Sequence, residues 1–216
     1  MARIGLLKAG LVKPILFGLC LSLTLGGVIL IAYDYGMHSR MVSTSREQGI
    51  MYPEIDESFS EARQVLLTQI RLEYGDPLDP VVYSGGAVEP WCANFVSYVA
   101  WLASSHGLSP AFTNPHSGSW RIPGVYTMRE YFESRGEFYA VDSDYLPRPG
   151  DVVFYEGGTF GTHVNFVVWS DAGEDRFLDN DQIYTVGGNE NGKILLSKLV
   201  YRYEKYGVVG FGRIAE

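Results

Sequence analysis

Hydrophobic positions change their period twice along this chain. Residues 14–33 (PILFGLCLSLTLGGVILIAY) form an unbroken uncharged run. Further on, Phe59, Ala62, Leu66 and Ile70 recur near helical spacing and predict a helix over about 59–74, with Ser58 and Glu61 at capping-box spacing and Gly75-Asp76-Pro77 as the stop. Residues 76–90, rich in Pro and Gly, read as a loop. Phe95, Val96, Val99, Leu102 and Ala103 predict a second helix from Cys92 to about Ser105, closed by Gly107. Residues 109–124 read as an ordered loop, and a short third helix follows over about 126–134. From Pro149 the period becomes two: 151–155, 162–169, 182–186 and 208–214 read as strands, as do the two ends of 193–203. Gly157-Gly158, Asn180-Asp181 and Asn191-Gly192 supply turns. Helices first and strands afterwards predict an α+β domain, helices packed on an antiparallel sheet.

As a helix, the 20 uncharged residues span roughly 30 Å, a bilayer's hydrocarbon thickness. Lys13 and Asp34 bound the run, and Tyr33 and Tyr35 stand where interfacial aromatics are expected. Arg3, Lys8 and Lys13 precede it, which places the N-terminus in the cytoplasm. The competing reading is a cleaved signal peptide, whose apolar region is shorter and ends in a small-x-small site; Leu30-Ile31-Ala32 fits that poorly. The organisation expected is a basic cytoplasmic segment (1–13), a transmembrane anchor (14–35), a stalk (36–57) and an extracytoplasmic domain (58–216), making a single-pass membrane protein in either the periplasm or at the cell surface.

The 216 residues carry a net charge of −8. Residues 1–40 contribute +3, so the remainder holds −11. An acidic domain of this kind is unsuited to tracking phosphates, and no nucleic acid is expected as a partner.

Of the two cysteines, Cys20 lies in the apolar run, so Cys92 is the one thiol of the exported part. A lone buried cysteine is commonly mere packing. Cys92, however, opens a predicted helix, where the dipole favours a thiolate and free N–H groups face an oxyanion forming beside the sulfur. Such a nucleophile works with a histidine. His38 lies in the stalk, and His106 is 14 residues along the same helix, about 21 Å away. His116, in the long loop, stays open as a candidate. His163 opens the alternating run THVNFVVW, sharing one face with Asn165, Val167 and Trp169. Asn189, after Gly187-Gly188, offers an acceptor to orient that imidazole. By simple alternation the adjacent Glu190 points elsewhere. Neither HExxH nor a zinc-cysteine pattern is present, and the chemistry requires no metal or cofactor.

Three blocks in order resemble the CHAP family (cysteine, histidine-dependent amidohydrolases and peptidases) within the NlpC-like superfamily of papain-like cell-wall enzymes. They are Glu89–Val96 (EPWCANFV), Arg148–Phe154 (RPGDVVF) followed by Gly161-Thr162-His163-Val164, and Val186-Gly187-Gly188-Asn189. The resemblance spans about 81–214. It implies a papain-like fold with nucleophile Cys92, base His163 and orienting Asn189, and a peptidoglycan hydrolase that cuts an amide bond in the wall's peptide stems. Two positions depart from the family pattern: Gly187 stands where many members carry Glu, and Asn165 where a small residue is usual. Trp91, Trp120 and Asn165 are the expected substrate contacts, with loops 109–124 and 156–161 shaping the cleft. The alternatives are a catalytically silent wall-binding or scaffold domain and a thiol acyltransferase.

Overall fold

The computed structural model describes residues 50–105, 112–171, 182–200 and 206–214, all in the second of the two units into which the chain divides, Met41–Glu216. The expected transmembrane anchor (14–35), Cys20, His38, His106 and Gly107 lie outside the described residues. Among those described, no helix is long and apolar enough to cross a membrane.

Among the described residues four helices come first: α1 (Glu61–Gly75), α2 (Pro80–Tyr83), α3 (Cys92–Ser105) and α4 (Val125–Ser134). Six strands follow: β1 (Phe138–Ala140), β2 (Val152–Tyr155), β3 (His163–Ser170), β4 (Gln182–Glu190), β5 (Lys193–Val200) and β6 (Val208–Gly212). The strands form one sheet in the order β1-β6-β2-β3-β4-β5, every pairing antiparallel. The domain is α+β, as the change of period predicts.

Several boundaries differ from expectation for local reasons. Helix α1 is capped by Ser60, whose hydroxyl accepts from Arg63 N, and not by Ser58. Ser58 instead donates its own N–H to Asp56 Oδ1 at 2.8 Å, an Asx turn that delays the helix. Helix α2 lies inside the expected 76–90 loop: Asp79 caps it by accepting from Val81 N, and Pro80 presets its first turn. Strand β1 is only three residues long, too short for a period of two to register, and pairs with β6 at the sheet edge. Strand β5 is continuous rather than broken in the middle. Ile194 and Leu196 fill the helix-facing core while Leu199 fills the opposite one, so both of its faces are apolar. Asn191 and Gly192 take φ values of +52° and +71° and join β4 to β5 as the sequence predicts.

The sheet is buried on both faces. On one, Val152, Phe154, Val164, Phe166 and Val186 pack against Leu66, Ile70, Phe95, Val96 and Phe132 of the helices. On the other, Val153, Tyr155, Val167, Ile183, Leu199 and Phe211 form a second core. His163 and Asn165 belong to this second face, because His163 pairs with Tyr155 and Asn165 with Val153 across the β2–β3 ladder. The alternation ends at a register shift between Val167 and Trp169, so Trp169 does not continue it.

The Arg148–Phe154 block ties the two layers together. Asp151 is fully buried and accepts from Tyr145 Oη (2.6 Å), Arg148 N (2.8 Å) and Ile214 N (3.2 Å). Its other neighbour is Arg63 of α1, with Nη1 at 3.8 Å. Arg63 also donates to the Pro149 carbonyl. One buried ion pair thus joins α1, the entry to β2 and the exit of β6. Removing its acidic half strands a guanidinium in the core, so Asp151→Ala is expected to lower the unfolding free energy by about 3 kcal/mol or more. Urea denaturation measures this; a loss under about 1 kcal/mol contradicts the buried pair.

Candidate active site

Cys92 is the first residue of α3, and the Trp91 carbonyl accepts the helix's opening bond from Phe95 N at 2.8 Å. Three contacts hold this start in place. The Trp91 ring stacks on Tyr83 of α2 (centroids 5.3 Å apart, planes at 15°). Tyr83 donates to Glu73 Oε2 at 2.9 Å and accepts from Leu78 N at 2.9 Å, which anchors the stack to α1. Glu89 ion-pairs with Arg121 and accepts from Asn94 Nδ2 at 2.8 Å, which secures the approach to the helix. Behind Trp91 lies Gly188 of β4, where an added Cβ would stand 2.4 Å from the indole and 2.7 Å from Phe95 Cβ. Only glycine lets the strand approach the helix start this closely.

His163 is the first residue of β3, so a ring on the far face of the sheet reaches, at the strand end, the sulfur at the helix start. The imidazole and the Cys92 thiol face each other closely enough that each shifts the other's titration. His163 Nε2 faces Glu190 Oε1 at 3.7 Å, an ion-pair separation longer than a hydrogen bond, which leaves Nδ1 for the sulfur. Phe160 lies parallel to the imidazole (5.9 Å, 13°), and Tyr155 lies 6.0 Å from it. The ring is therefore shielded from water, being 7% exposed.

The acceptor at the imidazole is the Glu190 carboxyl group, not the side-chain amide of its neighbour, the expected Asn189. Asn189 has φ +63°, and the β4–β5 register shifts between Gly187 and Glu190. The left-handed residue breaks the alternation and turns Glu190 inward, where it is 1% exposed. Asn189 instead lines a cleft of about 340 Å³ with Asp79, Val88, Glu89 and Trp91. A signal for this was present: Asn-Glu-Asn-Gly flanks the glutamate with the residue types that most readily adopt positive φ.

Of the expected substrate contacts, Trp91 lines this cleft and a second one of about 580 Å³ bounded by Tyr74, Leu78, Lys193 and Ile194. Trp120 stands apart from Cys92 and lines neither of these clefts. It stacks on Trp101 (5.0 Å, 20°), nine residues beyond Cys92 and so about 13 Å along the helix. Asn165 does not reach a cleft either, being fully buried. It donates to Glu190 Oε1 at 2.7 Å and to Thr185 Oγ1 at 3.3 Å, while Ser197 Oγ donates to Glu190 Oε2 at 3.1 Å. His116, left open as a base, pairs with the exposed Glu130 at 2.8 Å.

Burial alone raises the Cys92 thiol pKa, but the hydrogen bond and charge of His163 and the first-turn N–H groups of Ala93 and Cys92 outweigh it, and the thiol falls below its ordinary value. Burial likewise pulls His163 down, but Cys92 and Glu190 together push it up to about 9. Both directions favour a thiolate beside an imidazolium.

No family model, curated protein or solved structure matches this chain. A thiol, an imidazole and a carboxyl group meet at the start of α3, the start of β3 and the end of β4.

The reactive ion pair exists between the depressed thiol pKa and the raised imidazole pKa. Alkylation of Cys92 by iodoacetamide is therefore expected to rise below the ordinary thiol pKa of about 8.5. A second change is expected at pH about 9, where His163 loses its proton. A single step at the ordinary thiol value is the contrary result.

Proposed function

We propose that this chain is a membrane-anchored cysteine amidohydrolase of papain-like fold that cleaves an amide bond in the peptides of peptidoglycan. The observation that carries the reading is the in-line set Cys92, His163 and Glu190, in which a helix-borne thiol meets an imidazole with a carboxyl group behind it. The order of elements agrees with the three sequence blocks, and the two clefts lined by Trp91, the residue before Cys92, offer room for an extended peptide. The resemblance and the apolar run at 14–33 support the choice of wall peptides and the membrane location.

In the proposed reaction the Cys92 thiolate adds to the substrate carbonyl carbon. The backbone N–H of Cys92, without an intrahelical acceptor in the first turn, donates to the developing oxyanion. Imidazolium His163 gives its proton to the leaving amine as the C–N bond breaks, leaving a thioester and a neutral ring. A water then attacks the thioester while His163 takes its proton. The C–S bond breaks, the acid product departs, and the thiolate–imidazolium pair is restored. Glu190 keeps the ring oriented and offsets its charge through both steps.

Fragment release from purified cell wall by the full-length chain in detergent tests the reading. Cys92→Ala is expected to lower the rate on the order of 10⁴-fold or more. Glu190→Gln is expected to cost on the order of 10²-fold or more, and more than Asn189→Gly, which removes the side chain but keeps the left-handed backbone that turns Glu190 inward. Undiminished release by Cys92→Ala ends the proposal, and the reverse ranking of the last two variants restores Asn189 as the orienting group.

A further inference from the structure

The two departures from the family pattern, Gly187 and Asn165, touch each other. A Cβ placed on Gly187 would lie 1.6 Å from Asn165 Oδ1 and 2.3 Å from its Cγ. The Asn165 amide therefore occupies the volume that any side chain at 187 would need. That amide is the closest partner of Glu190, with Nδ2 at 2.7 Å from Oε1, the same oxygen that faces His163 Nε2 at 3.7 Å. Asn165 is fully buried, and its Oδ1 has no hydrogen-bond partner. An uncompensated buried carbonyl is costly, and an asparagine whose sole task is to fill space is poorly chosen over an apolar residue. What the position gains from the amide is its N–H donors, aimed at the carboxyl group.

We propose that Asn165 is a positioning residue for the thiol–imidazole pair, holding Glu190 Oε1 opposite His163 Nε2, and that Gly187 lacks a side chain so that Asn165 can reach it. The proposal rests on the Cys92–His163 reading above and extends it one shell outward. Rotation of the amide out of the way would relieve a side chain at 187, but it would break the bonds to Glu190 and Thr185 together. The pairing across β3 and β4 thus converts a choice of backbone residue at 187 into control of a carboxyl group at 190.

Titratable groups face His163 from three elements: Cys92 from α3, Glu190 from β4 and Tyr155 from β2. Burial holds the Tyr155 hydroxyl protonated well above its ordinary range, so it does not titrate in the working window. A displaced Glu190 stabilises the imidazolium less, and the alkaline limb of Cys92 reactivity then moves to lower pH.

The experiment is the pH profile of iodoacetamide alkylation of the full-length chain, which uses no wall substrate. Asn165→Ala is expected to lower the alkaline limb by about one pH unit. Gly187→Ala is expected to reproduce that shift. In a Glu190→Gln background, Asn165→Ala is expected to add no further shift. A lowered melting temperature with the limb unmoved, or a full shift persisting without Glu190, overturns the positioning role. A wild-type profile with a single ordinary thiol step removes the thiol–imidazole pair itself, so the two failures are distinct. A measurement on the unmutated chain covers variants that do not fold. The Asn165 side-chain amide protons, followed by NMR, are expected to move as His163 titrates; protons indifferent to that titration contradict the proposal.

Discussion

A sulfur and an imidazole buried side by side become an ion pair only if the surroundings replace the water each has lost. The helix start supplies N–H groups to the sulfur, and β4 supplies a carboxyl group to the ring. Every unusual feature near the site serves one of these two deliveries. The Trp91–Tyr83 stack and the bare Gly188 bring the helix start against the sheet. The left-handed Asn189 turns the carboxyl group inward. Desolvation penalises isolated charges far more than paired ones, so these features stand or fall together.

The two layers are joined by a different ion pair, buried for a different purpose. Asp151 and Arg63 sit 88 residues apart in sequence and close α1 against the ends of β2 and β6. Asp151 accepts from two backbone N–H groups and a tyrosine hydroxyl and faces Arg63, so both of its oxygens are engaged in holding segments together. A Pro-Gly-Asp block that resembles part of a catalytic signature is, in this chain, a clamp. Its value to the site is indirect: it sets where β2 begins, and the β2–β3 register then sets where His163 stands.

Among the described residues, three of the five orphaned buried polar atoms lie on the face of the sheet away from the helices: His163 Nε2, Asn165 Oδ1 and the Tyr155 hydroxyl. Native interiors keep such atoms few. The other two, Asn94 Oδ1 and Arg121 Nε, lie on the helix side, which also buries Ser97 and Glu73.

Much of this was legible in the residues alone. The start of α3 at Cys92, the period-two strands and the placement of His163 at a strand start all follow from local pattern, because helix caps and strand alternation are properties of short segments. Glu190, Asn165 and Trp120 differ from expectation each for its own reason: Asn165 lies on the face that alternation gives it, but the carboxyl group that claims its amide comes from another strand. Alternation assigns a face only while the strand stays regular, and a single left-handed residue at 189 inverts it. Likewise, an aromatic residue in a loop carries no local sign of whether it covers a cleft or, like Trp120, stacks on a helix far from the sulfur. Sequence by itself determined which side chains had the chemistry. Tertiary structure decided which of them face each other, because register shifts, glycine contacts and burial are set between segments distant along the chain.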